Sequence, residues 1–124
     1  MPILNIQIMQ GHTAGQKAAL LKAGTQAVID STAAPLASIR IVLEEVPAEH
    51  VIVAGELGKP MALVRAFLIT GRTEEKKAAL IAGLSRAVHD SIGLSENDVR
   101  VIITDVPATD MGVAGGISAK AAGR

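Results

Sequence analysis

Apolar and polar positions alternate over residues 2–9, where Ile6, Gln7 and Ile8 would point in turn to opposite faces of an extended chain. A period of two predicts a strand. Residues 62–69, with Leu63, Val64, Phe67, Leu68 and Ile69, read as another strand that is more continuously apolar. After each of these the period changes. Leu80, Ile81, Leu84, Ala87, Val88 and Ile92 recur at helical spacing, and Leu20, Leu21, Ala27 and Val28 do the same earlier in the chain. Each strand is therefore expected to lead into an amphipathic helix. Thr13 and Thr73 stand where helix N-caps belong, and Gln16 follows Thr13 at capping-box spacing. Glu74 and Glu75 place negative charge in a first turn, where the helix dipole favours it. The helices are expected to end near Ser31 and Ser91. Residues 39–46 and 99–106, rich in Ile and Val, read as further strands. The Gly-containing tails after Pro47 and Pro107 read as short hairpins.

The order strand, helix, strand, tail occurs twice because the chain is duplicated. Displaced by 60 residues it overlays on itself without a gap, with 18 identities between residues 1–60 and 61–120. Gly11, Thr13 and Lys17 to Leu20 fall on Gly71, Thr73 and Lys77 to Leu80. Arg40 falls on Arg100, Val46-Pro47-Ala48 on Val106-Pro107-Ala108, and Val53-Ala54-Gly55 on Val113-Ala114-Gly115. The expected architecture is α/β (α+β): two tandem β-α-β units, residues 1–60 and 61–124, forming a four-stranded sheet with two helices on one face in one compact domain. Such a sheet leaves its other face bare, and another chain is expected to cover it.

Composition narrows the functional classes. Twelve Lys and Arg balance twelve Asp and Glu, so bulk phosphate neutralisation of a nucleic acid is disfavoured. Phe67 is the one aromatic residue, which leaves no platform for base stacking. There is no Cys, hence no thiolate nucleophile or thiolate metal site. No apolar stretch approaches the length of a membrane span and the N-terminus does not read as a secretory signal, so a soluble cytoplasmic protein is expected. With 49% apolar residues and a mean hydropathy of +0.40, the chain has more apolar surface than a monomer of this size readily hides. His12, His50 and His89 are scattered and make no metal-ligand cluster. The run 111–116 lacks the strand-to-helix context of a phosphate loop. Glu44 and Glu45 are neighbours, so on a strand they face opposite ways and cannot act as a paired acid and base.

Several of these features together resemble the tautomerase superfamily, and specifically 4-oxalocrotonate tautomerase. They are Pro2 directly after Met1, the strand that follows it, Gly11, Arg40 within Ser38-Ile-Arg-Ile-Val-Leu-Glu-Glu45, and Val53-Ala-Gly-Glu-Leu57. Each half resembles one family subunit, so the tandem is similar to a fused tautomerase. That resemblance implies a homotrimer with pseudo-hexameric symmetry, no organic or metal cofactor, and a small carboxylate-bearing substrate, a 2-hydroxydienoate or enol.

The resemblance also implies chemistry at Pro2. A Pro nitrogen within the chain is a tertiary amide without a free lone pair. Pro is small enough to permit removal of Met1, which would make Pro2 a secondary amine. Neighbouring cations and desolvation would hold that amine below the ordinary α-amine range, leaving it free to act as a general base. Arg40 matches the arginine that binds the substrate's carbonyl and carboxylate, which a planar guanidinium does bidentately. The position of the second substrate arginine is His12 in the first half and Arg72 in the second. Fused relatives bring the second unit's first strand beside the proline, so Arg72 is expected to be the second carboxylate clamp, with Arg65 on the same strand a weaker candidate. Arg100, the counterpart of Arg40, would serve the second half's own or a neighbouring site. The family's aromatic wall matches Val51 and Met111, which are apolar but not aromatic. Ala62, behind Met61, stands where a second Pro would be and offers no amine, so one proline site per chain is expected.

The resemblance leaves two alternatives. Fused relatives include a haloacrylate dehalogenase and a decarboxylase, both of which need an extra acid. The decarboxylase's acid falls at Ser38, and Glu49 and Glu56 are the loop carboxylates that could substitute. A non-enzymatic relic is the other alternative, although the lysine of the cytokine-like branch falls at Ala33.

Overall fold

A computed structural model describes residues 1–124. In chain order the elements are β1 (Ile3–Met9), α1 (Ala14–Thr32), β2 (Arg40–Val46), β3 (Ile52–Val53), β4 (Glu56–Leu57), β5 (Ala62–Ile69), α2 (Glu74–Ile92), β6 (Val99–Val106), β7 (Gly112–Val113) and β8 (Ile117–Ser118). The four long strands form one sheet in the order β2-β1-β5-β6. Within each half the strands are parallel, as a crossover helix requires. The halves meet through β1 and β5, which run antiparallel with Asn5 opposite Arg65. The two tails fold into the hairpins β3–β4 and β7–β8.

Strand alternation builds the core. Leu4, Ile6 and Ile8 of β1 and Ala62, Val64, Ala66 and Leu68 of β5 face the helices and are buried. Leu20 and Val28 of α1 and Leu80, Leu84, Val88 and Ile92 of α2 close over them. Gly83 lets the helices approach closely, because a Cβ there would meet the Ala27 side chain at 3.2 Å. One expectation is corrected: Ile81 does not join the buried stripe but stays 42% exposed. The α2 face that meets the sheet is narrower than the run of apolar residues, and Ile81 falls beside it.

Both N-caps form. The Thr13 hydroxyl accepts from the Gln16 amide and the Gln16 side chain accepts from the Thr13 N–H, while Thr73 accepts from the Lys76 amide. Each helix is also tied to the second strand of its own half, Lys17 to Glu45 at 2.9 Å and Lys77 to Asp105 at 2.6 Å. Glu44 points the other way and accepts from Asn5 and Gln7 on the opposite sheet face. That face carries Ile3, Val42 and Ile102 exposed and Phe67 half-buried. The apolar continuity of residues 62–69 thus reflects a strand with apolar residues on both faces. No helix is long and apolar enough to cross a membrane.

Candidate active site

The antiparallel β1–β5 pairing decides which residues meet the start of the chain. Ile3 lies opposite Phe67, so the end of β5 and the turn after it come beside Met1 and Pro2. Parallel β6 ends at the same place, where the Thr70 amide donates to the Val106 carbonyl at 3.0 Å. The second half's tail continues from there. A cavity of about 780 Å³ results, lined among others by Met1, Ser38, Arg40, Arg72, Val113 and Arg124, and by no acidic side chain.

Pro2 is fully buried directly beneath Met1. Its carbonyl accepts from the Arg40 amide at 3.1 Å, continuing the β1–β2 ladder and fixing the proline against the strand that carries Arg40. Arg72 is anchored by one donor, Nη1 to the Ile69 carbonyl at 2.9 Å. Its Nε is buried with no partner in the protein. An unpaired buried donor costs about 1–3 kcal/mol. The chain's α-amine, carried here by Met1, is held below its ordinary value by burial first, then by the charges of Arg72 and Arg124.

The other expected residues go elsewhere within a single chain. His12 lies at the opposite end of β1, in a second cavity of about 360 Å³ with Gly11, Pro60 and Met61. Arg100 is next to it, in a smaller cavity of about 220 Å³ with Met61, Ala62 and Asp98. Its Nη1 donates to the carbonyls of Asn97 and Val99 at 2.8 and 3.0 Å. Arg65 is exposed at the middle of β5, opposite Asn5, and lines none of these cavities. Val51 and Met111 are buried under their hairpins rather than facing the Pro2 cavity; Gly112, Val113 and Ala114 face it instead. Neither Glu49 nor Glu56 lines it. Arg124 carries no signal in the sequence, because it lies beyond residue 120, where the repeat ends, and no periodic pattern points to it.

The chain is thus a duplicated β-α-β fold with a cationic, acid-free cavity at the start of its first strand. Residues 2–59 and 63–121 each match the family model described as tautomerase enzyme, and the chain belongs to the Tautomerase family, as an isomerase of that class. It is similar over 98% of its length, with a TM-score of 0.97 and 59% identity, to a fused 4-OT described as a wild-type symmetric trimer, of which it covers 99%. A second structure, of a protein inactivated by 2-oxo-3-pentynoate, has a TM-score of 0.96 and 43% identity, with 98% of this chain and 99% of that one covered. The 2-hydroxymuconate tautomerase of Comamonas testosteroni is 41% identical over 64 residues, which is 52% of this chain and 100% of that protein. A single-unit relative thus corresponds to about half of the tandem.

Proposed function

We propose that the chain, once Met1 is removed, catalyses enol–keto tautomerisation of a small carboxylate-bearing 2-hydroxydienoate or enol, with Pro2 as general base. The unprotonated Pro2 nitrogen takes the proton from the enol oxygen. The O–H electrons become the carbonyl π bond and the conjugated double bonds shift along the chain. A distant carbon of the conjugated system then receives the proton from the Pro2 ammonium, which restores the free amine. Arg40 and Arg72 hold the substrate's carbonyl and carboxylate oxygens and stabilise negative charge as it develops. Nothing in this sequence of steps needs a cofactor. The second half serves as scaffold and as the donor of Arg72, and three such chains form a homotrimer. Fused relatives described as trimers support that assembly, as does the apolar outer sheet face with Val42 and Ile102 exposed.

The observation that carries this reading is the buried Pro2 beneath a cavity that holds Arg40 and Arg72 and no carboxylate. The same lack of an acid leaves the dehalogenase and decarboxylase alternatives without their extra group in the cavity. The test uses 2-oxo-3-pentynoate, whose conjugated alkyne an amine attacks to form a new N–C bond. Intact mass should show a chain beginning at Pro2, and peptide mapping should place one equivalent of the reagent on that residue. The labelled protein should no longer isomerise 2-hydroxymuconate. Retained Met1 with neither labelling nor isomerisation would refute the reading.

A further inference from the structure

We infer that Arg124 is a third guanidinium of the Pro2 cavity, placed to hold a carboxylate of a dianionic substrate in the space that Met1 fills before processing. The inference deepens the tautomerase reading and rests on it for the identity of the site.

Three observations support it. Arg124 lines the cavity together with Arg40 and Arg72. Its Nη1 lies 2.6 Å from Met1 Sδ, so when Met1 leaves, a guanidinium donor faces the vacated space. The side chain is also delivered by built structure. Ala119 is fully buried, and its amide donates to the Met111 carbonyl at 2.8 Å. Gly123 turns the chain at φ +80°, a left-handed conformation costly for other residues. The Arg124 amide then closes back onto the Ala119 carbonyl at 2.8 Å.

Chain order explains why only one end of the molecule has this residue. The first tail must run from β4 straight into β5, with residues 58–61 as the whole connection. No segment is left there to fold back over Met61. The second tail runs on from β8 through residues 119–124 and returns to the cavity. With three guanidiniums and no acid, one cluster of donors suits the carbonyl end of a substrate and another suits a distal carboxylate. A monoanion would leave the latter unused.

The test separates Arg124 from the reaction itself. Full-length chain with Pro2 as its first residue, verified by intact mass, is titrated with adipate and with hexanoate, two unreactive acids of equal length that differ by one carboxylate. Arg124→Gln should weaken adipate binding about tenfold or more, in line with loss of one charge-assisted hydrogen bond. Hexanoate binding should change less than about threefold. Arg124→Lys, which keeps the charge, should recover part of the loss. The same split should appear in kinetics, with a raised KM and near-normal kcat for 2-hydroxymuconate and little change for phenylenolpyruvate. Equal adipate affinity in wild type and Arg124→Gln would overturn the assignment, as would an equal loss for both acids. Either result leaves a Pro2-dependent tautomerase standing. Conversely, a protein that binds adipate through Arg124 but isomerises neither enol keeps the anion site and loses the tautomerase reading.

Discussion

The two ends of the central strand pair are related by the duplication, yet they hold different chemistry. At the start of β1, Pro2 is buried behind Met1, which lines a cavity with Arg40, Arg72 and Arg124. At the start of β5, Ala62 is locked in a peptide bond behind Met61, His12 stands in place of Arg72, and Arg100 is occupied by the carbonyls of Asn97 and Val99. The framework around them has diverged far less. Both halves keep a Thr N-cap and a Lys-to-acid tie between helix and second strand. Each half makes its own cap and tie, while the β1–β5 pairing and the close approach of the two helices pack the halves on each other. A polar cavity needs its full set of groups to work, and it can lapse at one end without loss of the fold. Because β1 and β5 are antiparallel, each cavity is also composite. At the first, the first half supplies the strand start and the second half the turn and tail that face it; at the other, the strand start comes from the second half and the turn from the first.

The largest contrast is expected at the strand starts themselves. Pro2→Ala should lower kcat/KM for 2-hydroxymuconate by roughly 10²–10⁴, the range for a positioned general base, while Ala62→Gly should stay within about twofold. Size-exclusion chromatography should show the same assembly for both. Comparable losses from the two variants would mean that the ends had not diverged in function.

Arg72 and His12 provide the next comparison. Arg72→Ala should raise KM for a dicarboxylate enol by about 10- to 100-fold. His12→Ala, measured in the same assay, should be nearly neutral.

The pH dependence sharpens the same pair. Burial, and after it the charges of Arg72 and Arg124, lowers the Met1 α-amine below its ordinary value; a processed Pro2 amine at the same place is expected to give a kcat/KM that rises with pH along a limb below the ordinary α-amine range. Arg72→Gln removes one such cation. The protonated form is then less disfavoured, the amine pKa rises, and the limb should move to higher pH. His12→Gln should leave it where it is.

The smallest effect concerns the helix ends. Ala33 closes α1 at φ 57° and Gly93 closes α2 at φ 74°, both left-handed. Ala33→Gly should be neutral or slightly stabilising, and Gly93→Ala should cost about 1 kcal/mol, a difference of a few degrees in Tm.

Local features were legible because local rules govern them. Thr13 and Gln16 are three residues apart and make both capping-box bonds. Period-two alternation placed Ile6 and Ile8 on one face, and both are buried, with Leu4 beside them. Ile81 shows the limit, since helical spacing says which residues share a side but not how wide the packed face will be. Arg40 and Arg72 were marked by their places in the repeat and by the family resemblance, and both line the cavity beside Met1. The same logic marked Val51, Met111, Arg65 and Arg100, which a single chain carries elsewhere.

The duplication, the order of elements, the caps and the presence of one proline in place of two are properties of the sequence by itself, because each depends on residues close together or compared directly along the chain. The antiparallel meeting of β1 with β5, and hence the arrival of Arg72 and Arg124 beside Pro2, belongs to the tertiary structure. Contacts between residues some 70 to 120 positions apart depend on how two separate units pack, which no local period encodes.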